Sequence, residues 1–488
     1  MTTVFPVDGI ILDRSSPANL HRQLYAQLRS LIECRILPSG SALPSTRIMA
    51  KDLSVGRNTV IAACDQLALE GYISLRPRTP PLVMALPTPV AIAEKTPIDS
   101  NNSISWRGKV MLAQPYHHGK PGHVAFHPGL PDSDNFPFST WSKLLSRRAK
   151  LARHDLFGTY HIKGYPPLCE AIARYLTVSR GVNCKPEQIV ITNGAQSAFD
   201  LLARLLIDPG DTVWMEEPGY YGAGAAFLSA GAKLSPLNVN DAGWDLVPPS
   251  ATPRLIFVTP SCHHPLGITM PMEQRLNLIH LAEKWNAWII EDDYDSEYRF
   301  QGHPIPALQG IGAANRVVYV GTFAKILFPA MRLGFLVVPE ILREGISAAL
   351  SVTGQFAPLL TQAALADFMN EGHFTRHLRR MRRLYAARRQ YFMGICEDYL
   401  GEWLSLRHTD AGIQLVGLFH NDCDDKTVAR AALEKGINVS PLSIQYRHGN
   451  IQRGLVMGFA AADEKTTKKF MGKLRDVLRA TVNAPLKS

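Results

Sequence analysis

The chain has no paired cysteine spacing. Its seven cysteines, Cys34, Cys64, Cys169, Cys184, Cys262, Cys396 and Cys423, are odd in number, scattered and free of any C-x-x-C motif. That excludes a disulfide framework and a thiolate zinc site, and it points to a reducing cytoplasm. No apolar segment follows the first residues, and no run approaches about eighteen apolar residues, so neither a secretory leader nor a membrane span is expected. His263 and His264 are adjacent on an extended turn and point apart, so the pair is not read as a metal site. No internal repeat recurs.

At 488 residues the chain is too long for one core, and two domains are expected. A formal net charge of +10 suits a nucleic-acid partner. Much of that surplus lies outside the first 83 residues. Phe374 to Phe392 carries Arg376, Arg379, Arg380, Arg382, Arg383, Arg388 and Arg389 with no acidic residue. Leu378, Met381, Leu384 and Tyr385 give this run one apolar helical face, so it reads as a solvated structural helix rather than a DNA track.

From about residue 160 to 340, short β-rich runs alternate with helical ones, the pattern of a doubly wound α/β sheet. Val213–Met215, Leu255–Val258, Ala287–Ile290 and Val317–Val320 read as strands buried on both faces. Chemistry in such sheets sits at the carboxyl ends of the strands, where Glu216-Glu217, Thr259, Asp292 and Thr322 to Lys325 fall.

Two of those strand ends carry a specific chemistry. One apolar strand ends in Glu291-Asp292-Asp293-Tyr294, and another in Gly321-Thr322-Phe323-Ala324-Lys325, with Arg332 close behind. Pyridoxal 5'-phosphate (PLP) needs a lysine to bond its aldehyde, a carboxylate to keep the pyridine nitrogen protonated, a phenol for the ring oxygen and cationic or hydroxyl phosphate ligands.

These residues resemble the fold-type I aminotransferases. Thr192 to Ala198 is similar to that family's strand-to-helix turn, whose backbone N–H groups cradle the phosphate, here at Ala195 and Gln196. Glu217-Pro218-Gly219-Tyr220 resembles the loop whose aromatic ring stacks on the pyridine. Pro260 to Gly267, with His264, occupies the place of the turn near the ring oxygen, and Tyr160 that of a tyrosine reaching the neighbouring subunit's phosphate. The resemblance implies that Lys325 carries the cofactor, Asp292 partners the pyridine nitrogen, Tyr294 donates to the ring oxygen, and Thr322 and Arg332 hold the phosphate. It also implies a homodimer and a smaller C-terminal α+β subdomain.

The first eighty residues differ in kind. Leu20, Leu24, Leu28 and Leu31 recur at helical spacing, and Pro38-Ser39-Gly40 is expected to end that helix. Ser45 caps a short second helix with Ile48 and Met49. Arg57-Asn58-Thr59-Val60 opens a third, whose buried side is Val60, Cys64 and Leu67, with Gly71 just past its end. Tyr72–Arg76 and Leu82–Met84 read as two short strands joined by a basic turn, completing a winged helix-turn-helix over residues 14–84.

That head resembles the GntR family of bacterial regulators through Leu43-Pro44-Ser45-Thr46-Arg47, Arg57-Asn58-Thr59-Val60 and Leu69-Glu70-Gly71-Tyr72. The resemblance implies that Ser45, Thr46, Arg47, Arg57, Asn58 and Thr59, with Arg76 and Arg78 of the wing, face a double-stranded DNA operator. Two departures stand out: Gly56 replaces the usual serine before the third helix, and the wing tip is Arg78-Thr79-Pro80-Pro81 rather than glycine-rich. A GntR-like head on an aminotransferase-like body is the arrangement of the MocR subfamily of transcription regulators. Residues 85–122, rich in proline and without apolar periodicity, read as a linker to a body spanning 123–488.

One pair of absences bears on catalysis. The resemblance calls for an arginine to bind a substrate α-carboxylate near the C-terminus, and Val456 stands at that position. Another, after the stacking tyrosine, is replaced in Tyr221-Gly222-Ala223-Gly224. This favours a sensor of PLP, or of a small amine or amino-acid-type effector, over a turnover enzyme. A catalytically active aminotransferase with an appended DNA-binding domain is the alternative.

Overall fold

The computed structural model describes residues 9–86, 104–114, 125–151, 156–158, 161–300, 302, 305–311, 314–409 and 411–482. The chain divides into two compact units, Met1–Ser103 and Ile104–Ser488.

The head contains helices α1 (Leu20–Glu33), α2 (Thr46–Asp52) and α3 (Arg57–Leu69), and an antiparallel wing of β1 (Ile73–Ser74) and β2 (Leu82–Val83). Leu24, Leu28 and Ile32 of α1 meet Val60, Ala63, Cys64 and Leu67 of α3 in one core. The apolar period of α1 therefore runs on to Ile32, with Leu31 only partly buried. α1 ends before Pro38, because Arg35 already takes a left-handed φ of 59°. Ser45 Oγ accepts the Ile48 N–H at 3.3 Å, capping α2 as expected, and Ile48 itself is exposed. The strands are shorter than the apolar runs that announced them.

The body is built on an eight-stranded mixed sheet. Its strands are β3 (Ile189–Thr192), β4 (Thr212–Glu217), β5 (Lys233–Asn240), β6 (Gly243–Trp244), β7 (Leu255–Val258), β8 (Trp288–Asp292), β9 (Val317–Thr322) and β10 (Gly334–Val337). They lie in the order β3-β10-β9-β8-β7-β4-β5-β6. β5, β4, β7, β8 and β9 run parallel in that order, while β10 is antiparallel to both its neighbours. β7, β8 and β9 are buried along their whole length, as continuous apolar runs require of a sheet covered on both faces. A smaller antiparallel sheet follows near the C-terminus: β11 (Leu404–Leu406), β12 (Gln414–Phe419), β13 (Ser440–Pro441) and β14 (Gly454–Gly458).

The interval read as a linker holds a helix, Trp106–Leu112. Ser105 Oγ caps it by accepting the Gly108 N–H at 3.1 Å, and it packs beside the helix Tyr221–Ala230 of the body. None of its residues is fully buried, so it has no apolar stripe for a sequence pattern to reveal. The arginine-rich run forms one helix, His373–Leu400. Arg382 donates to the Glu297 carbonyl at 2.6 Å, Arg388 pairs with Asp132 at 2.7 Å, and Arg380 and Arg389 donate to the Asn135 and Thr409 carbonyls. Four of its cations are thus bound to its own domain.

Candidate functional site

Three consecutive acids end β8, and strand alternation sends them to different places. Glu291 accepts the Leu308 and Gln309 N–H groups at 2.8 and 3.1 Å. Asp293 accepts from Arg180 Nε at 2.7 Å, Tyr319 at 2.6 Å and Ser296 at 2.9 Å. Asp292, between them, keeps a buried Oδ1 with no hydrogen-bond partner among the described residues. Burial, reinforced by the charges of Asp293 and Glu216, holds its carboxyl well above the usual range. Such a carboxylate calls for a buried cationic or N–H partner, which a protonated pyridine nitrogen is.

Lys325 follows β9, and its Nζ donates to the Gly129 carbonyl at 2.8 Å. Burial lowers its pKa, opposed by the charges of Asp295 and Asp292. Gly129 has φ 64°, and a Cβ there would collide with the lysine amine.

The predicted ring contacts converge on the same place. The His264 ring lies 5.4 Å from that of Tyr220 and 5.7 Å from that of Tyr294, both edge-on. Burial, then the charge of Lys325, pushes His264 down to about 3, so the imidazole is neutral. Tyr294 Oη lies 3.8 Å from Cys262 Sγ, and burial raises both groups. The turn is pinned from below by Glu216, which accepts from Thr259 N, Thr259 Oγ1 and Trp244 Nε1 at 2.8, 2.6 and 2.7 Å. Thr259 Oγ1 in turn accepts the His264 N–H at 2.9 Å. His263 is buried against Trp244, away from its neighbour's site.

At the other end, Ala195 opens the helix Ala195–Leu206, with Gly194 at its N-cap in a φ of 89°. Gln196 donates to the Gly222 carbonyl at 2.8 Å, tying that helix to the Tyr220 loop. Thr322 ends β9, and its Oγ1 accepts the Ala324 N–H at 3.2 Å. Arg332 is exposed with φ 51°, within electrostatic range of Tyr220. Tyr160 lies outside the described residues. A helix N-terminus, a hydroxyl and a guanidinium are the groups that a phosphate cradle requires. Amine, unpaired carboxylate, phenol and cradle together fit PLP.

Sequence reading missed several residues here. Asp295, 1% exposed, accepts the Ile413 N–H at 3.2 Å, and burial raises its carboxyl to about 7. Gln414 Nε2 meets His264 Nδ1 at 3.4 Å. These partners lie more than a hundred residues apart in the chain and left no local signal. Arg447 approaches from the loop before β14: its guanidinium donates to the Tyr221 carbonyl at 3.3 Å and occupies the space that Gly224 leaves open. Val456 is 1% exposed, packed in an apolar core with Trp244, Leu442 and Val416. Arg453 pairs with Asp422 at 3.1 Å on the surface.

In the head, Ser45, Arg47, Arg57, Asn58, Arg76 and Arg78 are exposed, and Thr46 and Thr59 are half-buried. Arg57 Nε lies 3.5 Å from Thr46 Oγ1, joining two of the residues expected to face DNA. Arg78 has φ 62°, taking the left-handed turn that the missing glycine would have supplied. Arg14 Nη2 donates to the Ser54 carbonyl at 2.7 Å, fixing the turn ahead of α3.

Residues 130–474 match the aminotransferase class I and II family, and residues 20–83 match the bacterial regulatory proteins, gntR family. The probable rhizopine catabolism regulatory protein MocR of Rhizobium meliloti is 49% identical over 474 residues, covering 96% of each chain. The HTH-type pyridoxine biosynthesis transcriptional regulator PdxR of Corynebacterium glutamicum is 30% identical, over 96% of this chain and 98% of its own. Among solved structures, the α-aminoadipate aminotransferase LysN of Thermus thermophilus shares the fold of the body. Its TM-score is 0.68 at 24% identity, covering 74% of this chain and 93% of its own. With both family matches in place along the chain, the protein belongs to the MocR subfamily of GntR-type transcription regulators, a DNA-binding winged helix joined to an aminotransferase-like, PLP-binding body.

Proposed function

We propose that the body is a sensor that governs operator binding by the head, working as a cytoplasmic homodimer, rather than a turnover transaminase. One observation carries this reading: Val456, at the position where the resemblance calls for a carboxylate-binding arginine, is packed into an apolar core. An unpaired carboxylate in a dry pocket costs several kcal/mol. When bound, PLP supplies an electrophilic carbon and an electron-withdrawing ring. The chain's own residues hold it: Lys325 supplies the amine, Asp292 keeps a proton at the ring nitrogen, Tyr294 and His264 face the ring oxygen, and Thr322, Arg332 and the helix N-terminus at Ala195 take the phosphate. The names of the relatives, one a pyridoxine biosynthesis regulator and one a rhizopine catabolism regulator, support a metabolite-responsive role.

The competing reading, an active aminotransferase, draws on Arg447. Its guanidinium lines a cavity of about 650 Å³ with Gln114, Asp425 and Tyr446, and neither Lys325, Asp292 nor Tyr294 borders that cavity. The two readings separate in one experiment on PLP-loaded protein: borohydride trapping with peptide mapping, followed by turnover with glutamate, alanine and aspartate. A Lys325 adduct with turnover far below the roughly 1–1000 per second of ordinary enzymes supports the sensor. Turnover within that range overturns it.

A further inference from the structure

In the head, α2 ends in a closed turn that favours glycine and carries serine instead. Leu53 caps the helix. Beyond it the Ser54 N–H donates to the Lys51 carbonyl at 3.2 Å and the Val55 N–H to the Ala50 carbonyl at 3.0 Å. This paired closure needs the first residue past the cap in the left-handed region, and Ser54 is there at φ 53°. A side chain disfavours that conformation and glycine does not. Two residues later Gly56, the N-cap of α3, has no side chain to fix that helix's first turn. The direction in which Arg57, Asn58 and Thr59 leave the turn therefore depends on Ser54 staying left-handed.

An arm ahead of α1 supplies the restraint. Gln23 and Gln27, one turn apart on α1, each bind the backbone of this arm with both ends of the amide. Gln27 Oε1 accepts the Ile11 N–H at 2.8 Å, and its Nε2 donates to the Ile11 carbonyl at 2.6 Å. Gln23 does the same to Asp13, at 2.8 Å in each direction. The bound residues are two apart, as the alternation of an extended segment requires, and Ile10 is buried in the core of the head. Arg14 follows at once, and its Nη2 donates to the Ser54 carbonyl at 2.7 Å, across 40 residues of chain. A guanidinium on a carbonyl makes a charge-assisted bond, and here the acceptor belongs to the left-handed residue itself.

We infer that Arg14 is a positioning residue for sequence-specific DNA binding. Fastened through Gln23 and Gln27, it holds Ser54 left-handed and thereby fixes the approach of α3 to base edges. The inference concerns the head alone and is independent of what the body senses. Its one premise is that α3 faces the operator.

The test uses full-length protein, a duplex that the wild type selects from a random-sequence pool, and a scrambled duplex of the same composition. Arg14→Ala should weaken binding to the selected duplex about fivefold, the worth of one hydrogen bond. Binding to the scrambled duplex and the salt slope should not change, because no phosphate contact is lost. Ser54→Gly should restore most of that affinity in the Arg14→Ala background and change little alone, since glycine takes the left-handed turn unaided. Gln23→Ala, which frees the arm at Asp13, should reproduce the loss and be rescued in the same way, and it decides the matter if Arg14→Ala does not fold. Equal loss on both duplexes overturns the inference: with a salt slope lower by about one unit it makes Arg14 a phosphate ligand, and with an unchanged slope it marks a general loss of stability. Unchanged affinity, or a loss that Ser54→Gly leaves in place, overturns it too. Arg57→Ala in parallel checks the premise: selected-duplex binding that this variant leaves intact removes α3 from the DNA, and the inference with it.

Discussion

Asp293 accepts hydrogen bonds from Arg180 at 2.7 Å and Tyr319 at 2.6 Å, whereas Oδ1 of Asp292, one residue earlier, has no partner among the described residues. The two carboxylates leave opposite faces of the same strand end. Burial acts on both, but Arg180 and Tyr319 outweigh it at Asp293 and hold that group below the ordinary range, while Asp292 is pushed above it. Asp293→Ala should strip a buried guanidinium of its partner and destabilise the body by about 3–5 kcal/mol. Asp292→Asn should cost little stability and instead weaken cofactor retention. Chemical denaturation and dialysis of the loaded protein measure the two effects, and a large stability loss in Asp292→Asn would refute the assignment.

Gly129 is held at φ 64°, and a methyl group there would press on the amine and the Cε of Lys325. Gly129→Ala should therefore abolish borohydride trapping at Lys325. Gly394→Ala, which adds a methyl into open space within a helix, is the control and should leave trapping unchanged. Equal labelling of the two variants would show that the glycine does not position the lysine.

The Asp295 carboxyl is raised by burial from 3.8 to about 7. Between those values the folded protein keeps a proton that the unfolded chain has lost. The stability this group provides is fully present below about pH 4 and is lost as pH rises towards 7. Asp295→Asn cannot ionise, so cofactor-free Asp295→Asn should gain on wild type across that window by a few kcal/mol. A difference independent of pH, measured by urea titrations at pH 4, 5.5 and 7, would contradict this sign.

Arg78 occupies a left-handed conformation that costs a side-chain-bearing residue roughly 1 kcal/mol. Arg78→Gly should relieve that strain and stabilise the head by about this much, and Arg78→Ala should not. If the wing cation touches a phosphate, both variants should bind operator more weakly and lower the salt slope by about one unit. Fluorescence anisotropy at several salt concentrations reads the slope. Unchanged slopes in both variants would place Arg78 off the DNA.

The sequence by itself determined the parts whose cause is local. Leu24 and Leu28 of α1, and Val60, Cys64 and Leu67 of α3, were legible because a helix repeats its buried face every three or four residues. The buried parallel strands were legible as apolar runs, with Lys325, Asp292 and Tyr294 at or just past their ends. The helix Trp106–Leu112 was not, since it buries no residue completely and so carries no stripe.

Only the tertiary structure decided which of three consecutive acids faces the pocket, because that depends on where β8 stops and what packs on each side of it. It also decided the company of Lys325. Gly129 lies 196 residues away, and Gln414 lies 150 residues from His264. Such pairings are set by how the two sheets close over one another, and residues far apart along the chain impose no pattern on their immediate neighbours. The burial of Val456 beside Val416 and the arrival of Arg447 at Gly224 were likewise decided in three dimensions, the first by the register of β14 against β12 and the second by a contact more than two hundred residues apart along the chain.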